Sequence, residues 1–564
     1  MFSNRDRRGK AGRFLAVLLM TATACVFALP LSGQTIEQKL DEYLKAAQRI
    51  QHFQGAVLVA KDGDILLSKG YGYADAQSLT KNFDYTEFLI GSVTKQFTAV
   101  AILQLAEKGK LNLDAPIGKY LPDYPGETAQ KVTIHHLLTH TSGIPNYTEL
   151  ADVVGRRHDP ITVSDLLHTF DTLPLQFEPG SAFRYSNSGY EVLGAIIEKV
   201  SGQSYEGYIR QHILKPAGMS SSGVAGDPKR EIAMASGYAP DETGGLVSAR
   251  YVHGSFSYAA GALFSTVQDM YRWDQALRGE RMLHNDSRAL MFTPFKEKYG
   301  YGWVIDTLYG HLVVTHDGGI DGFVSSFIRF VDVPFCAIVL ANSEQARVNP
   351  ITSALAAIAY EQPYDMPVEK TSIAIEPSAL DQYVGAYEIG PEQYRLVLRD
   401  GDKLFARRSG GGTSQLLPES RDKFYYESDN SITMTFVRDA SGGIVGHVLH
   451  QRGADVMAKR VDGDKAAQLL ASTTVAQVDP SVYDQYVGEY ELSPGFVLTV
   501  RRDGSRILTQ ATGQQEVEIF PRSETQFFLK VVDAQITFVR DHAGLVSSLV
   551  LHQGGRDMPA KKMK

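Results

Sequence analysis

The rhythm of apolar and polar positions changes three times along this chain. "FLAVLLMTATACVFALPL", from Phe14, is apolar without periodicity and follows the basic stretch "RDRRGKAGR". From about Thr35 to Tyr360, helical and strand patterns alternate. "GAVLVAKDGDILLSKGYGYAD", from Gly55, predicts a hairpin turning at Asp62-Gly63. A helix is predicted from about Val93 to Lys108, with Val93, Phe97, Val100 and Ala101 on one apolar face and Gly109 as the stop. Further helical patterns surround "TIHHLLTH", "EVLGAIIEKVSG" and "STVQDMYRWDQAL", and "ITSALAAIAY" follows the strand-like "HLVVTHDGGIDGFVSSFIRF" and "FCAIVLAN". Strand, helices, then strands predict a sheet flanked by a helical region.

After the Pro- and Glu-containing linker "EQPYDMPVEKTSIAIEPS", short alternating strands with glycine turns take over, and they repeat. "LDQYVGAYEI" from Leu380 matches "YDQYVGEYEL" from Tyr483, and "TMTFVRDASGGIVGHVLHQRG" from Thr433 matches "QITFVRDHAGLVSSLVLHQGG" from Gln535. Each copy holds an Asp-Gly hairpin. Two small closed barrels are expected, because closure removes exposed strand edges. The expected division is 1–33, 35–362, linker 363–379, then barrels over 380–465 and 480–564.

Composition adds little to the fold. The chain has 564 residues, 43% hydrophobic and 21% charged, enough for several domains. A net charge of −8 excludes a general nucleic-acid binder, which needs a basic face. The basic segment, apolar run and following "SGQTIEQ" predict a secretory signal over residues 1–33, leaving a periplasmic or secreted protein with no stable membrane span. Its removal takes five basic residues and Asp6, for a mature charge of −12. Apolar "VFALPL" after Cys25 argues against lipid anchoring there, and Cys336 alone forms no internal disulfide.

Three short motifs carry candidate chemistry. Ser-x-x-Lys occurs at Ser78–Lys81 and at Ser92–Lys95, but only the second opens a sustained helix. There Lys95 lies one turn after Ser92 on the same face, near free backbone N–H groups that favour developing negative charge. A desolvated lysine has a lowered pKa and accepts a serine proton. Tyr185-Ser186-Asn187 lies between a Pro-Gly turn and a helix; a tyrosine whose pKa is depressed by nearby cations serves as acid or base, and an asparagine amide orients a carbonyl. His316-Asp317-Gly318-Gly319 marks strand backbone that a ligand approaches closely, where a glycine N–H joins that of Ser92 in an oxyanion hole.

In this order the motifs resemble the serine β-lactamase and penicillin-binding-protein superfamily, in its class C-like branch. "VTIHHLLTHTSGIP", "SYAAGALFSTVQDMYRWDQAL" and "YGYGWV" extend the resemblance over roughly Ile36–Tyr360, and the repeats resemble lipocalin-like modules. The resemblance implies an α+β fold of the β-lactamase/DD-peptidase type: an antiparallel sheet flanked by helices, a helical region, then two all-β barrels. It implies an acyl-enzyme on Ser92, proton transfer shared by Lys95 and Tyr185 with the base left open, and substrate contacts from Asn187, His316, Gly318 and Gly319. No cofactor and no metal are implied. Histidine and aspartate replace the usual Lys-Thr of the third motif, which removes a permanent cation and favours an esterase or a D-amino-acid or cell-wall peptidase. The alternatives are a β-lactamase or DD-peptidase proper, or a non-catalytic penicillin- or peptide-binding sensor. The partner is a small-molecule or peptide substrate, and oligomeric state is open. His135, His136 and His140 cluster without a third ligand pattern and are expected to be structural. "RRSGGGTS" from Arg407 lacks the ending of a phosphate loop and reads as a hairpin loop.

Overall fold

The computed structural model describes residues 34–226, 234–241, 245–408, 412–427, 429–451, 454–471, 476–493, 496–512, 516–529, 534–541, 543–553 and 556–563. The expected signal segment with Cys25, and the centre of the Arg407–Ser414 loop, lie outside the described residues. No helix among those described is long and apolar enough to cross a membrane.

After helix α1 (Ile36–Ile50), a six-stranded antiparallel sheet organises the first part. Its strands are β1 (Gly55–Lys61), β2 (Asp64–Tyr71), β3 (Val304–Leu308), β4 (His311–Ile320), β5 (Phe323–Phe330) and β6 (Phe335–Ala341), in the order β3-β4-β5-β6-β1-β2. The β1–β2 turn is at Asp62-Gly63 as expected, with φ of 55° and 94°. The middle strands read as continuous apolar runs because both faces are covered. On one face, α1 and α6 (Val348–Ala359) bury Leu40, Leu44, Ile351 and Leu355. On the other lies the helical region, with α2 (Thr94–Glu107), α3 (Asn187–Ser201), α4 (Gly254–Gly261) and α5 (Val267–Arg278).

Helix α2 departs from the amphipathic reading. Every residue from Thr94 to Leu105 is buried. It is the hub of the helical region, so its polar residues find partners inside: Thr98 donates to the Ala259 carbonyl, and Gln96 accepts from the Trp273 indole. Behind the sheet, buried Asp274 receives Arg329 at 2.7 Å and Arg278 at 2.8 Å, which ties α5 to the strands.

The repeats form two closed eight-stranded barrels, one from Gly385 to Val461 and the other from Gly488 to Lys562. Neighbouring strands follow in sequence, and the first pairs with the last. Each barrel has its own core: Tyr387, Val397, Phe424 and Phe436 in the first, and Tyr490, Val500, Phe527 and Phe538 in the second.

Candidate active site

Strand β4 and the turn that leads into α2 are pressed together. A Cβ on Gly318 would lie 2.1 Å from the Ile90 carbonyl oxygen and 2.5 Å from Ser325 Oγ. Gly91 adopts φ of 51°, in the left-handed region, and a Cβ there would lie 2.8 Å from the Gly319 nitrogen. Only glycines permit this approach, which sets the third-motif strand against the residue before Ser92. Replacing Gly318 by alanine must push the two apart and break the 2.8 Å bond from Ser325 to Ile90. The expected loss is about 2–3 kcal/mol, read from the urea midpoint.

Ser92 sits half-buried in a short 3-10 turn, Gly91–Val93, and Lys95 is fully buried one turn later. The Lys95 amine donates to Ser92 Oγ at 2.9 Å, Asn187 Oδ1 at 2.8 Å and the Ala260 carbonyl at 2.9 Å. Those three acceptors come from the serine turn, the start of α3 and the end of α4. Asn187 is itself held, its side chain donating to Thr148 and its backbone to Asn146. Burial pulls the Lys95 pKa down to about 7, against smaller opposing effects of Glu191 and Asp317.

Tyr185 is drawn to the same spot, with its ring 4.9 Å from the Lys95 amine. Its proton affinity moves opposite to the expectation from sequence. Burial raises it, and only contact with Ser92 lowers it. The reason is geometric: the lysine lies over the ring face, so its charge serves the π system while the hydroxyl loses water.

His316 is buried and bonds Asp317 O through Nδ1 at 2.6 Å and Tyr299 Oη through Nε2 at 2.9 Å. A carbonyl only accepts, so Nδ1 carries the proton and the Tyr299 hydroxyl donates to Nε2. Burial, then Lys95, lowers its pKa to about 4. The third motif therefore contributes a neutral ring, while Asp317 is exposed. Gly319 has open space on its Cβ side, beside the serine turn.

Three residues of the site lie outside the three motifs: His140 and Tyr299, within stretches that extended the resemblance, and Glu191. His140, grouped in sequence with His135 and His136, parts from them and packs against Tyr185, with ring centroids 4.2 Å apart and planes tilted by 36°, its Nδ1 accepting from the Ser186 amide. His135 instead meets Tyr301, and His136 caps its own helix. Tyr299, inside "YGYGWV", is the partner of His316. Glu191, fully buried on α3, is the third. Its Oε2 accepts from the Ala259 amide, and Oε1 lies 2.9 Å from the Tyr147 hydroxyl. That hydroxyl also lies 2.6 Å from the Phe256 carbonyl, so its single proton serves one of the two acceptors at a time. Burial raises the Glu191 pKa to about 8, against smaller opposing effects of Tyr147 and Lys95. Ser78 and Lys81 lie exposed at the surface, apart from all of this.

A hydroxyl hydrogen-bonded to a buried amine that sheds its proton near neutrality, on a sheet-and-helix scaffold of this topology, defines a serine hydrolase. A family model described as Beta-lactamase matches residues 36–361, and one described as a domain of unknown function (DUF3471) matches 472–562. The chain belongs to the β-lactamase family of serine hydrolases. It is 31% identical over 436 residues to a penicillin-binding protein of Bacillus subtilis (strain 168), covering 72% of this chain and 95% of the relative. Among solved structures it is similar to an octameric penicillin-binding protein homologue from Pyrococcus abyssi, at 27% identity and TM-score 0.55 over 75% of this chain and 99% of the other. It is also similar to a penicillin-binding protein from Bacillus halodurans, at 29% identity and TM-score 0.52 over 56% and 99%.

Proposed function

We propose that the protein is an exported hydrolase of esters or amides, of the D-amino-acid or cell-wall-peptide type, working through an acyl-enzyme on Ser92. The observation that carries this reading is the 2.9 Å bond from a fully buried Lys95, with a pKa of about 7, to Ser92. Once Lys95 has lost one of its three protons it accepts the Ser92 hydroxyl, and it takes that proton as Ser92 Oγ attacks the substrate carbonyl. The N–H groups of Ser92 and Gly319 receive the oxyanion. Protonated Lys95 then gives that proton to the leaving group, while Tyr185, which holds its own proton firmly, stays neutral beside the serine. Asn187 fixes the lysine and faces the substrate, and water then releases the acyl group.

A neutral His316 beside exposed Asp317 offers no cation to a substrate carboxylate, which supports esters and amides lacking one there. The penicillin-binding names of the relatives support the other reading, a cleft that accepts β-lactams and D-Ala-D-Ala ends. Intact mass with benzylpenicillin, beside turnover of a D-alanyl ester and a D-alanyl amide, decides between them. Ester or amide turnover without a penicilloyl adduct upholds the proposal, and a stable adduct or drug loss moves the assignment to a DD-peptidase or β-lactamase. Failure of all substrates, with no labelling by a serine-reactive phosphonate, overturns catalysis and leaves a binding protein. Export is tested by the N-terminal mass of the mature protein, expected to begin near Gln34.

The base role predicts a pH profile. kcat/KM for a neutral ester should rise through an apparent pKa near 7 as Lys95 loses its proton. An ascending limb displaced towards the ordinary lysine value of 10.5 would refute the assignment.

A further inference from the structure

The two barrels are copies of one fold, so each position in one has a counterpart in the other. Tyr387 matches Tyr490, and Phe436 matches Phe538, in register and in core position. At one level of the interior the copies diverge. Arg395 lies opposite Tyr387 and its counterpart Leu498 opposite Tyr490; Arg408 lies opposite Arg395, and Ala511 opposite Leu498. By the same pairing, Ser414 answers to Val517, Tyr426 to Leu529 and His447 to Leu549. Of the five counterparts, Leu498, Leu529 and Leu549 belong to the apolar core of the second barrel, and partly buried Ala511 and Val517 pack against it. Elsewhere in the interior the exchange runs the other way once, with Ala406 matching Thr509.

The fold therefore does not need these polar groups; Arg395 is half-buried, Arg408 is exposed, and the cost falls on His447. His447 is fully buried, and its Nε2 lies 3.5 Å from an Arg395 nitrogen. A guanidinium only donates, so Nε2 is the acceptor and Nδ1 carries the proton. That Nδ1 has no partner among the described residues. Burial, reinforced by Arg395, lowers the His447 pKa to about 3, so the ring is neutral. Neither Arg395 nor Arg408 forms an ion pair among the described residues, and Arg408 donates to Gln393. An unmade bond at a buried donor costs about 1–3 kcal/mol, which a leucine at the same place avoids. Below this layer the wall is apolar, formed by Val397, Ala406 and Phe436.

We propose that the first barrel, where half-buried Arg395 and exposed Arg408 stand on neighbouring strands above buried His447, is a binding site for the headgroup of a small organic anion, a carboxylate or phosphate. Arg395 lies beside His447 and opposite Arg408, neither arginine is paired with an acid among the described residues, and eight-stranded barrels are of a size that holds one small ligand. Guanidiniums pair with planar carboxylates and with phosphates in two-pronged fashion, and the apolar wall suits a short tail.

Isothermal titration of the full-length protein with octanoate, acetate and inorganic phosphate tests this, beside the double variant R395L/H447L. The variant installs the residues that the second barrel already accommodates. Saturable binding with a Kd below about 1 mM, weakened at least about tenfold in the variant, is expected. Octanoate binding above acetate assigns a carboxylate with an apolar tail; phosphate binding assigns a phosphate headgroup. No saturation by any probe, or equal binding by the variant, overturns the site. Should the double variant lose its cooperative melt, R395L alone carries the same comparison.

Discussion

Methionine in place of Lys95 should yield a protein that is nearly inert and more stable than its parent. The side chains are close in length, and methionine adapts to irregular cavities. Loss of the base removes at least about a thousand-fold from kcat/KM. The stability effect has the opposite sign. Holding a lysine whose pKa has fallen from 10.5 to about 7 costs on the order of 4 kcal/mol at neutral pH. Against that stand the orphaned acceptors: Ser92 Oγ is half-exposed and regains water, while the Ala260 carbonyl and Asn187 lose about 1–3 kcal/mol between them. The net expectation is a gain of about 1–3 kcal/mol in urea unfolding at pH 7. Since the folded pKa lies below the unfolded one, the lysine penalty is full at and below pH 7 and fades as pH rises towards 10.5. The variant's advantage should shrink along the same path. A destabilised variant would mean that the three hydrogen bonds outweigh the buried charge.

Removing the Ser92 hydroxyl is expected to have the larger effect on chemistry and almost none on the fold. Ser92→Ala should lower turnover by roughly ten thousand- to a million-fold, because no acyl-enzyme forms and only the binding surface and oxyanion donors remain. A phosphonate that adds its mass to the parent should leave the variant unmodified. Stability should stay within about 0.5 kcal/mol, since the lost group is half-exposed and Lys95 keeps two other acceptors. Retained turnover would place the nucleophile elsewhere.

Both effects concern residues that the sequence made visible, for a definite reason. Ser92 and Lys95 sit one helical turn apart, so local geometry alone joins them. The barrels were equally legible, because hairpin register is local and the repeat doubled the signal. The features that a sequence does not carry depend on distant packing. Glu191 falls within "EVLGAIIEKV", where a charged residue is expected to face water, yet α4 and Tyr147 cover it. His140 belonged by spacing to a histidine cluster, but the chain turns there with φ of 54° and carries it to Tyr185. Helix α2 read as one-faced because sequence does not reveal how many neighbours a helix has. The direction of the Tyr185 shift required knowing that Lys95 meets the ring and not the hydroxyl.

The strand order carries a consequence for how the chain reaches this state. Strand β1 is paired on one side with β2, its neighbour in sequence, and on the other with β6, so that Gly55 meets Ala341. The hairpin must therefore remain half-paired while the helical region and three further strands are synthesised. Such long-range closure slows folding and prolongs exposure of sticky edges. The barrels have almost wholly local pairings and should mature quickly once made. A ribosome-stalled chain ending before Phe335 is expected to expose β1 to protease, whereas one extending past Tyr360 protects it.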